Sequence, residues 1–283
     1  MALVSTPAVV LRTYRYSETS KVVRLATREL GIQSAIAKGA LRPKSRFGAG
    51  LELLSEGTAQ LYYRDTRELQ TLAAFDLANL HRGLAADVGR FAAAAALAQV
   101  MLAMAPPAPL VAAYDTFTAA LAELEATPPG SQGGEAAAVR AMWLLLAALG
   151  FGPSLEACAR DGAPVAPGDN GGDGGEGGEG GDGPVVFSVA EGGALCPRCA
   201  AGPLPEPATR LPRDAYRDLR ALNDPRLPLP RLDPAHAAAH RRLVARFVRY
   251  HGGEPGPHSA LDFWERRAWV LSASPPPVSS AAS

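Results

Sequence analysis

The spacing of apolar residues along the chain changes period near residue 75. Between residues 51 and 63 the odd positions are apolar or small (Leu51, Leu53, Ser55, Gly57, Ala59, Leu61, Tyr63), and Glu52, Glu56, Thr58 and Gln60 fall on the other side. A period of two predicts a half-buried antiparallel strand. Shorter runs at 8–16, 21–28, 31–38 and 68–75 predict four more strands, with Glu29-Leu30-Gly31 as a hairpin turn between two of them. Five short strands with one basic, glycine-containing connection (38–50) fit a small closed barrel of the OB-fold type. An SH3-like barrel fits that pattern nearly as well.

Beyond Phe75 the period lengthens. Leu84, Val88, Phe91, Ala95, Ala98 and Leu102 recur at three-to-four spacing and predict a helix over 84–104, ended by Pro106-Pro107. Residues 110–126 and 135–149 predict two more. The second, with Met142, Trp143, Leu144, Leu145 and Leu146, is apolar enough for a central core helix capped by Gly150. Asp233-Pro234 reads as an N-cap followed by proline at the first helical position, opening a helix to about Tyr250. On it Leu243, Phe247 and Tyr250 mark one face and Arg242, Arg246 and Arg249 another. A last helix at about 259–271 carries Phe263, Trp264 and Trp269. The expected fold class is α+β: a five-stranded OB-fold barrel over 1–78, then an all-helical domain over 79–271 interrupted by a cysteine-containing loop at 154–205. The Gly/Asp/Glu-rich insert at 166–184 lacks the apolar surface to offset its ordering entropy and is expected to be disordered, and the tail 272–283 to be flexible.

The formal net charge is zero, with 28 basic and 28 acidic side chains, so the total points to no polyanionic partner. The distribution does. Residues 1–75 hold 11 basic side chains against 6 acidic ones, whereas 161–183 contains Asp161, Asp169, Asp173, Glu176, Glu179 and Asp182 and no Lys or Arg. No charged leader opens the chain and no apolar run reaches the roughly 18 residues of a spanning helix, so a cytoplasmic protein is expected.

The densest cations lie in Lys38-Gly-Ala-Leu-Arg-Pro-Lys-Ser-Arg46, where four cations in nine residues of loop suit a phosphate backbone. Arg12, Lys21 and Arg24 on neighbouring strands are positioned to extend that patch over one barrel face. Tyr14 and Tyr16 alternate with Arg15 and offer stacking surfaces for unpaired bases, although aromatic residues in strands more often pack in the core or pair across strands. Cys196-Pro-Arg-Cys199 has the spacing of a zinc knuckle, and Cys158 precedes it by 38 positions. Asp161 stands where a second paired Cys-x-x-Cys places its fourth thiolate; a bound zinc and a metal-free knuckle are both open. His251 and His258 are further candidate ligands without a spacing argument. His236 and His240, spaced i,i+4, read as exposed helix-surface residues more readily than as a metal pair. Nucleotide-binding, serine-hydrolase and zinc-protease motifs are missing from the chain, which leaves no catalytic constellation.

Tyr16-Ser17-Glu18-Thr19-Ser20-Lys21, the strand from Val22, Gly31, Lys38-Gly39-Ala40 to Lys44-Ser45-Arg46, Leu149-Gly-Phe-Gly-Pro153 and the cysteine segment resemble, in order, the RecO family over about residues 4–250. That resemblance implies an OB-fold followed by a helical domain, often with structural zinc. It implies a non-enzymatic protein that binds single- and double-stranded DNA, anneals strands, and acts with RecR to load RecA on DNA coated by single-strand-binding protein, whose acidic C-terminal tail it recognises. It makes Arg12, Lys21, Arg24, Lys38, Arg42, Lys44 and Arg46 the expected DNA contacts, and Cys158, Asp161, Cys196 and Cys199 the expected metal set. Asp161 departs from the family's cysteine there. The rival expectations are a plain single-strand-binding OB module, a zinc- or thiol-dependent enzyme, and a protein scaffold.

Overall fold

The computed structural model describes residues 2–106, 108–128, 131–165, 183–204, 206–252, 259–267 and 269. Five strands, β1 (Ala2–Arg15), β2 (Lys21–Thr27), β3 (Gly31–Ala37), β4 (Glu56–Tyr63) and β5 (Leu69–Asn79), close a barrel in the order β1-β2-β3-β5-β4. All neighbours are antiparallel except β3 and β5, which run parallel and seal it. The interior holds Ala8, Val10, Val23, Leu25, Ala35, Leu61 and Leu72, joined by Phe47 and Leu51 from the β3–β4 connection.

Three strand expectations need correcting. The strand expected over 51–63 begins only at Glu56, because Leu51 is buried in the barrel and Leu54 in the helical core, destinations that one straight strand cannot serve. Leu54 accordingly takes a positive φ of 68° and its N–H bonds the Val10 carbonyl at 2.8 Å. The outer strands are longer than expected. Ala2 pairs with Tyr63 and Asn79 with Glu56, long-range partners that a local pattern cannot reveal.

The helical part contains α1 (Arg82–Ala85), α2 (Val88–Met104), α3 (Val111–Ala126) and α4 (Gln132–Ala148). After the cysteine loop come β6 (Val185–Ser188), β7 (Gly193–Leu195), α5 (Pro197–Ala200), β8 (Ala208–Leu211), α6 (Arg213–Asn223), α7 (Pro234–His251) and α8 (Ser259–Arg266). The single helix expected over 84–104 is broken at Asp87, whose extended backbone lets its carboxylate cap the Arg90 N–H at 2.9 Å. Gly150, at φ 92°, ends α4 in the left-handed conformation while Phe151 N–H bonds Leu146 O and Gly150 N–H bonds Ala147 O, the two bonds of a Schellman closure. Asp233 caps α7 through the N–H groups of Ala235 and His236. Trp143 of α4 is fully buried edge-on to Phe247 and Phe187, with centroids 5.2 and 6.4 Å away.

Other expectations change. His240 is buried and His236 half-buried beside Asp233, so the two do not sit together on the exposed helix surface, and Tyr250 is half exposed. The last helix stops at Arg266 where Arg267 adopts φ 49°. The small sheet β7-β6-β8 and α6 were unforeseen. His258, the tail 272–283 and all but Gly183 and Pro184 of the acidic insert lie outside the described residues, whose helices include none long and apolar enough to cross a membrane.

Barrel and helices share a core. Val9, Leu11, Ala26 and Leu54 join the helical cluster, with Ile32 and Leu53 against it. A polar clasp sits beside them: His81, 3% exposed, offers Nδ1 to Glu125 at 2.8 Å and Nε2 to Glu56 of β4 at 3.1 Å. Burial works against ionisation of Glu125, but hydrogen bonds from His81 and the Gly83 N–H outweigh it and hold that carboxyl below its ordinary range. On the surface, Arg28 grips Asp115 in two-pronged fashion at 2.8 and 3.0 Å. We predict that His81→Ala lowers unfolding free energy by about 2–4 kcal/mol in urea titrations, since it strands two carboxylates, while Asp115→Ala costs less than about 1 kcal/mol. Equal small losses in both would show that the clasp does not hold the units together.

Candidate nucleic-acid interface and metal centre

The β3–β4 connection is a chain of turns, with Arg42 N–H bonding Gly39 O, Ser45 N–H bonding Arg42 O and Gly48 N–H bonding Ser45 O. Phe47 and Leu51, sunk in the barrel, anchor it, and the Arg46 guanidinium lies 5.0 Å from the Phe47 ring centroid. Lys38, Arg42, Lys44 and Arg46 are all exposed, and none forms a salt bridge among the described residues. The Leu41 N–H bonds Thr19 O at 2.9 Å, which lashes this loop to the β1–β2 turn. The four loop cations are thus all exposed on one tethered segment between β3 and β4.

Arg12, Lys21 and Arg24 do not share one face. Side chains opposite one another in an antiparallel pair point the same way, and Val23 and Leu25 fill the barrel, so Arg24 and Val22 point outward. A bulge between Val10 and Arg12 then decides the rest of β1. Val10 faces inward opposite Leu25, Leu11 is the extra residue and packs on the helical core, and Arg12 resumes the ladder opposite Arg24. Arg12 and Arg24 are therefore neighbours outside the barrel. Lys21, opposite Ala37 of the interior, belongs to the inward side at the mouth, where it pairs with Glu52 at 3.3 Å.

The cysteine loop draws four side chains together. Ligand atoms of Cys158, Asp161, Cys196 and Cys199 all lie within 4.8 Å of one another. A tetrahedral zinc with bonds of about 2.3 Å to sulfur sets its ligands about 3.8 Å apart, so this donor set fits such an ion after a small contraction. Local bonds position it: Cys158 N–H bonds Ala163 O, Ala159 N–H bonds Ala194 O, and Gly193 abuts Ser154 so closely that any Cβ would meet the Ser154 carbonyl oxygen at 2.2 Å. Asp161 Oδ2 lies 3.1 Å from Cys199 Sγ and 3.6 Å from Cys196 Sγ, while Oδ1 accepts the Ala163 N–H at 3.0 Å. Arg198, inside the Cys-Pro-Arg-Cys knuckle, reaches Oδ2 at 2.6 Å and, with the Cys158 thiol and the Ala163 N–H, holds the carboxyl well below the usual range. The same carboxylate pushes the Cys199 thiol up to about 12, the reverse of what a nucleophilic or redox-active cysteine needs. His251 is elsewhere, bonded to the Val189 carbonyl at 2.8 Å.

One cleft went unnamed in the sequence. A cavity of about 390 Å³ opens between the starts of α2, α4 and α7 and the end of α8, lined by Leu124, Ala138, Leu232, Ala237, Trp264 and Trp269, with Arg90 and Arg267 on it. Arg267 lies 5.9 Å over the Trp269 ring. Glu135, also lining it, is taken up by buried Arg241 and by Arg267. Its residues come from four separate stretches of chain, which no local motif connects.

Comparison with known proteins gives concordant results. Residues 1–81 match the family model "Recombination protein O N terminal" and residues 85–260 match "Recombination protein O C terminal". The chain is 37% identical over 204 residues to the DNA repair protein RecO of Anaeromyxobacter dehalogenans strain 2CP-C, covering 71% of this chain and 72% of the relative. It is 32% identical over 252 residues to that of Rubrobacter xylanophilus, covering 89% and 91%.

The donor set gives a direct prediction. One equivalent of Co²⁺ should produce thiolate-to-metal charge-transfer absorption, Asp161→Cys should tighten binding by about 10-fold, and Cys199→Ser should abolish most of that absorption. No thiolate band at one equivalent would remove this cluster as a metal centre.

Proposed function

Because this chain belongs to the RecO family of DNA repair proteins, we propose that it is a strand-annealing recombination mediator that works without a catalytic step. In this reading residues 1–78 form the DNA-binding unit and 79–271 the helical unit. The protein binds single- and double-stranded DNA through Lys38, Arg42, Lys44 and Arg46, with Arg12, Lys21 and Arg24 as flanking contacts. The observation that carries the proposal is the anchored loop whose four exposed cations form no salt bridge among the described residues.

Annealing follows from electrostatics. Two strands repel through their phosphates, and a cationic surface that screens both lowers the barrier while base edges stay free to pair. Contacts of this kind are independent of sequence, and each neutralised phosphate releases counterions. Cys158, Cys196, Cys199 and Asp161 would hold a structural Zn²⁺, whose chemistry is to cross-link the loop rather than to activate water, since four protein ligands leave no open position.

The family reading extends to partners: RecR, with which the protein would load RecA, and single-strand-binding protein, whose acidic C-terminal tail it would recognise, in the cytoplasm at the nucleoid. The α2/α4/α7/α8 cavity supports tail docking, since much of its wall is apolar, its acidic lining residues Glu135 and Asp87 are engaged by Arg241 and by the Arg90 N–H, and it carries two arginines, Arg90 and Arg267. A plain OB module would bind single strands but would not accelerate annealing on coated DNA.

We expect Lys38→Ala/Arg42→Ala/Lys44→Ala/Arg46→Ala together to weaken DNA binding by at least about 10-fold for all sequences and to flatten the slope of log affinity against log salt by about 2–4. An unchanged slope, measured by anisotropy from 50 to 200 mM salt, sinks the loop as the phosphate contact. For the cavity, Arg267→Glu should weaken a fluorescent acidic peptide with an apolar C-terminus by about 5-fold or more and leave DNA affinity intact. Retained peptide affinity would move the docking site elsewhere.

A further inference from the structure

The registers of β1, β2 and β3 align outward-facing residues in rows. Arg12 stands opposite Arg24, which stands opposite Ser34; the next row is Tyr14, Val22 and Ile36. Tyr16 continues the ladder, its N–H bonding Ser20 O at 2.9 Å, and Lys38 begins the loop two residues beyond Ile36. Among the described residues Val9, Leu11, Ala26 and Ile32 pack into the helical core and Arg12 borders a cleft with α2 and α8, while Tyr14 and Tyr16 stay exposed. Tyr14 is 46% and Tyr16 60% exposed, against the ordinary expectation for aromatic residues at a strand end. The Arg12 guanidinium lies 5.9 Å from the Tyr14 ring centroid and donates to its hydroxyl at 3.3 Å, which steadies the ring.

From this geometry we propose that Tyr14 and Tyr16 are a base-stacking platform that makes the barrel prefer single-stranded over duplex DNA. This deepens the annealing proposal and rests on it. Cations flank the platform on both sides: Arg12 and Arg24 in the row below, Lys38 and the loop above. A strand laid across the rows sets phosphates on these cations and turns bases onto the rings. Unpaired bases have free π-faces, whereas in a duplex those faces are already stacked on neighbouring pairs. The tyrosines therefore add affinity only for unpaired nucleotides, while the cations attract both forms. After annealing the new duplex loses the stacking contacts and keeps only the salt-dependent ones, which favours its release.

The test uses the full chain, with Tyr14→Leu/Tyr16→Leu and Tyr14→Phe/Tyr16→Phe variants against a 20-nucleotide single strand, its duplex, and a single strand of abasic sites. The leucine variant should lose about 10-fold or more in affinity for the single strand and less than 2-fold for the duplex, with the phenylalanine variant close to wild type. Abasic DNA should bind the wild type about as weakly as normal single strand binds the leucine variant, and the leucine variant should not distinguish the two. Equal losses for single strand and duplex, or a leucine variant that still distinguishes normal from abasic DNA, overturn the platform. These substitutions are on the surface, and the duplex arm reports directly on a folded, cation-bearing protein. Loss of binding in the loop variant with no effect of the leucine variant leaves the DNA-binding reading standing and removes this inference; no measurable DNA binding by the wild type removes both.

Discussion

The arrangement depends on how the helical part seats itself on the barrel. A five-stranded barrel of this size has an outer surface that is apolar in one sector and polar in another, and the apolar sector must be covered. Val9, Leu11 and Ala26 enter the same core as α2, α3 and α4, with Ile32 against it, and Leu54 follows from the β3–β4 connection. His81, held between carboxylates on β4 and α3, fixes the seat with directional bonds that apolar packing lacks. Everything proposed about nucleic acid concerns the sector this seat leaves free.

Two kinds of rigidity meet around that sector. The loop cations sit on turns pinned from below by Phe47 and Leu51 and from the side by the Leu41-to-Thr19 bond. The strand residues are held by ladder hydrogen bonds. A surface whose charges are already placed loses little side-chain and loop entropy when a flexible polyanion settles on it. The helical part contributes differently, with a cleft whose apolar walls and arginines suit a peptide rather than a strand.

Much of this was legible in the sequence where the signal is local. The hairpin turn before Gly31, the cap at Asp233, the stop at Gly150 and the burial of Trp143 each follow from a few adjacent residues. Asp161 joined the cysteines as its position relative to Cys158 suggested. What could not be read was set at long range. Leu51 and Leu54 look like one alternating run until two different cores claim them, and the three- and four-residue strands around the cysteine loop are too short to show a period. Helix α6, by contrast, was there to be found, since Tyr216, Leu219 and Leu222 recur at helical spacing and all are buried. Arg12, Lys21 and Arg24 on neighbouring strands suggest one barrel face, but Lys21 and Arg24 are three residues apart along a strand, which reverses the direction of a side chain.

The bulge at Leu11 has a consequence for how this sequence can drift. Counting along β1 is a parity problem: one supernumerary residue converts every later even position from barrel lining to outer surface. Arg12 and Tyr14 owe their place in the open to that single surplus. Length changes that a surface turn such as 16–20 would absorb are therefore not interchangeable with one inside this strand. A lone deletion there would leave the composition almost untouched and turn the same residues inside out.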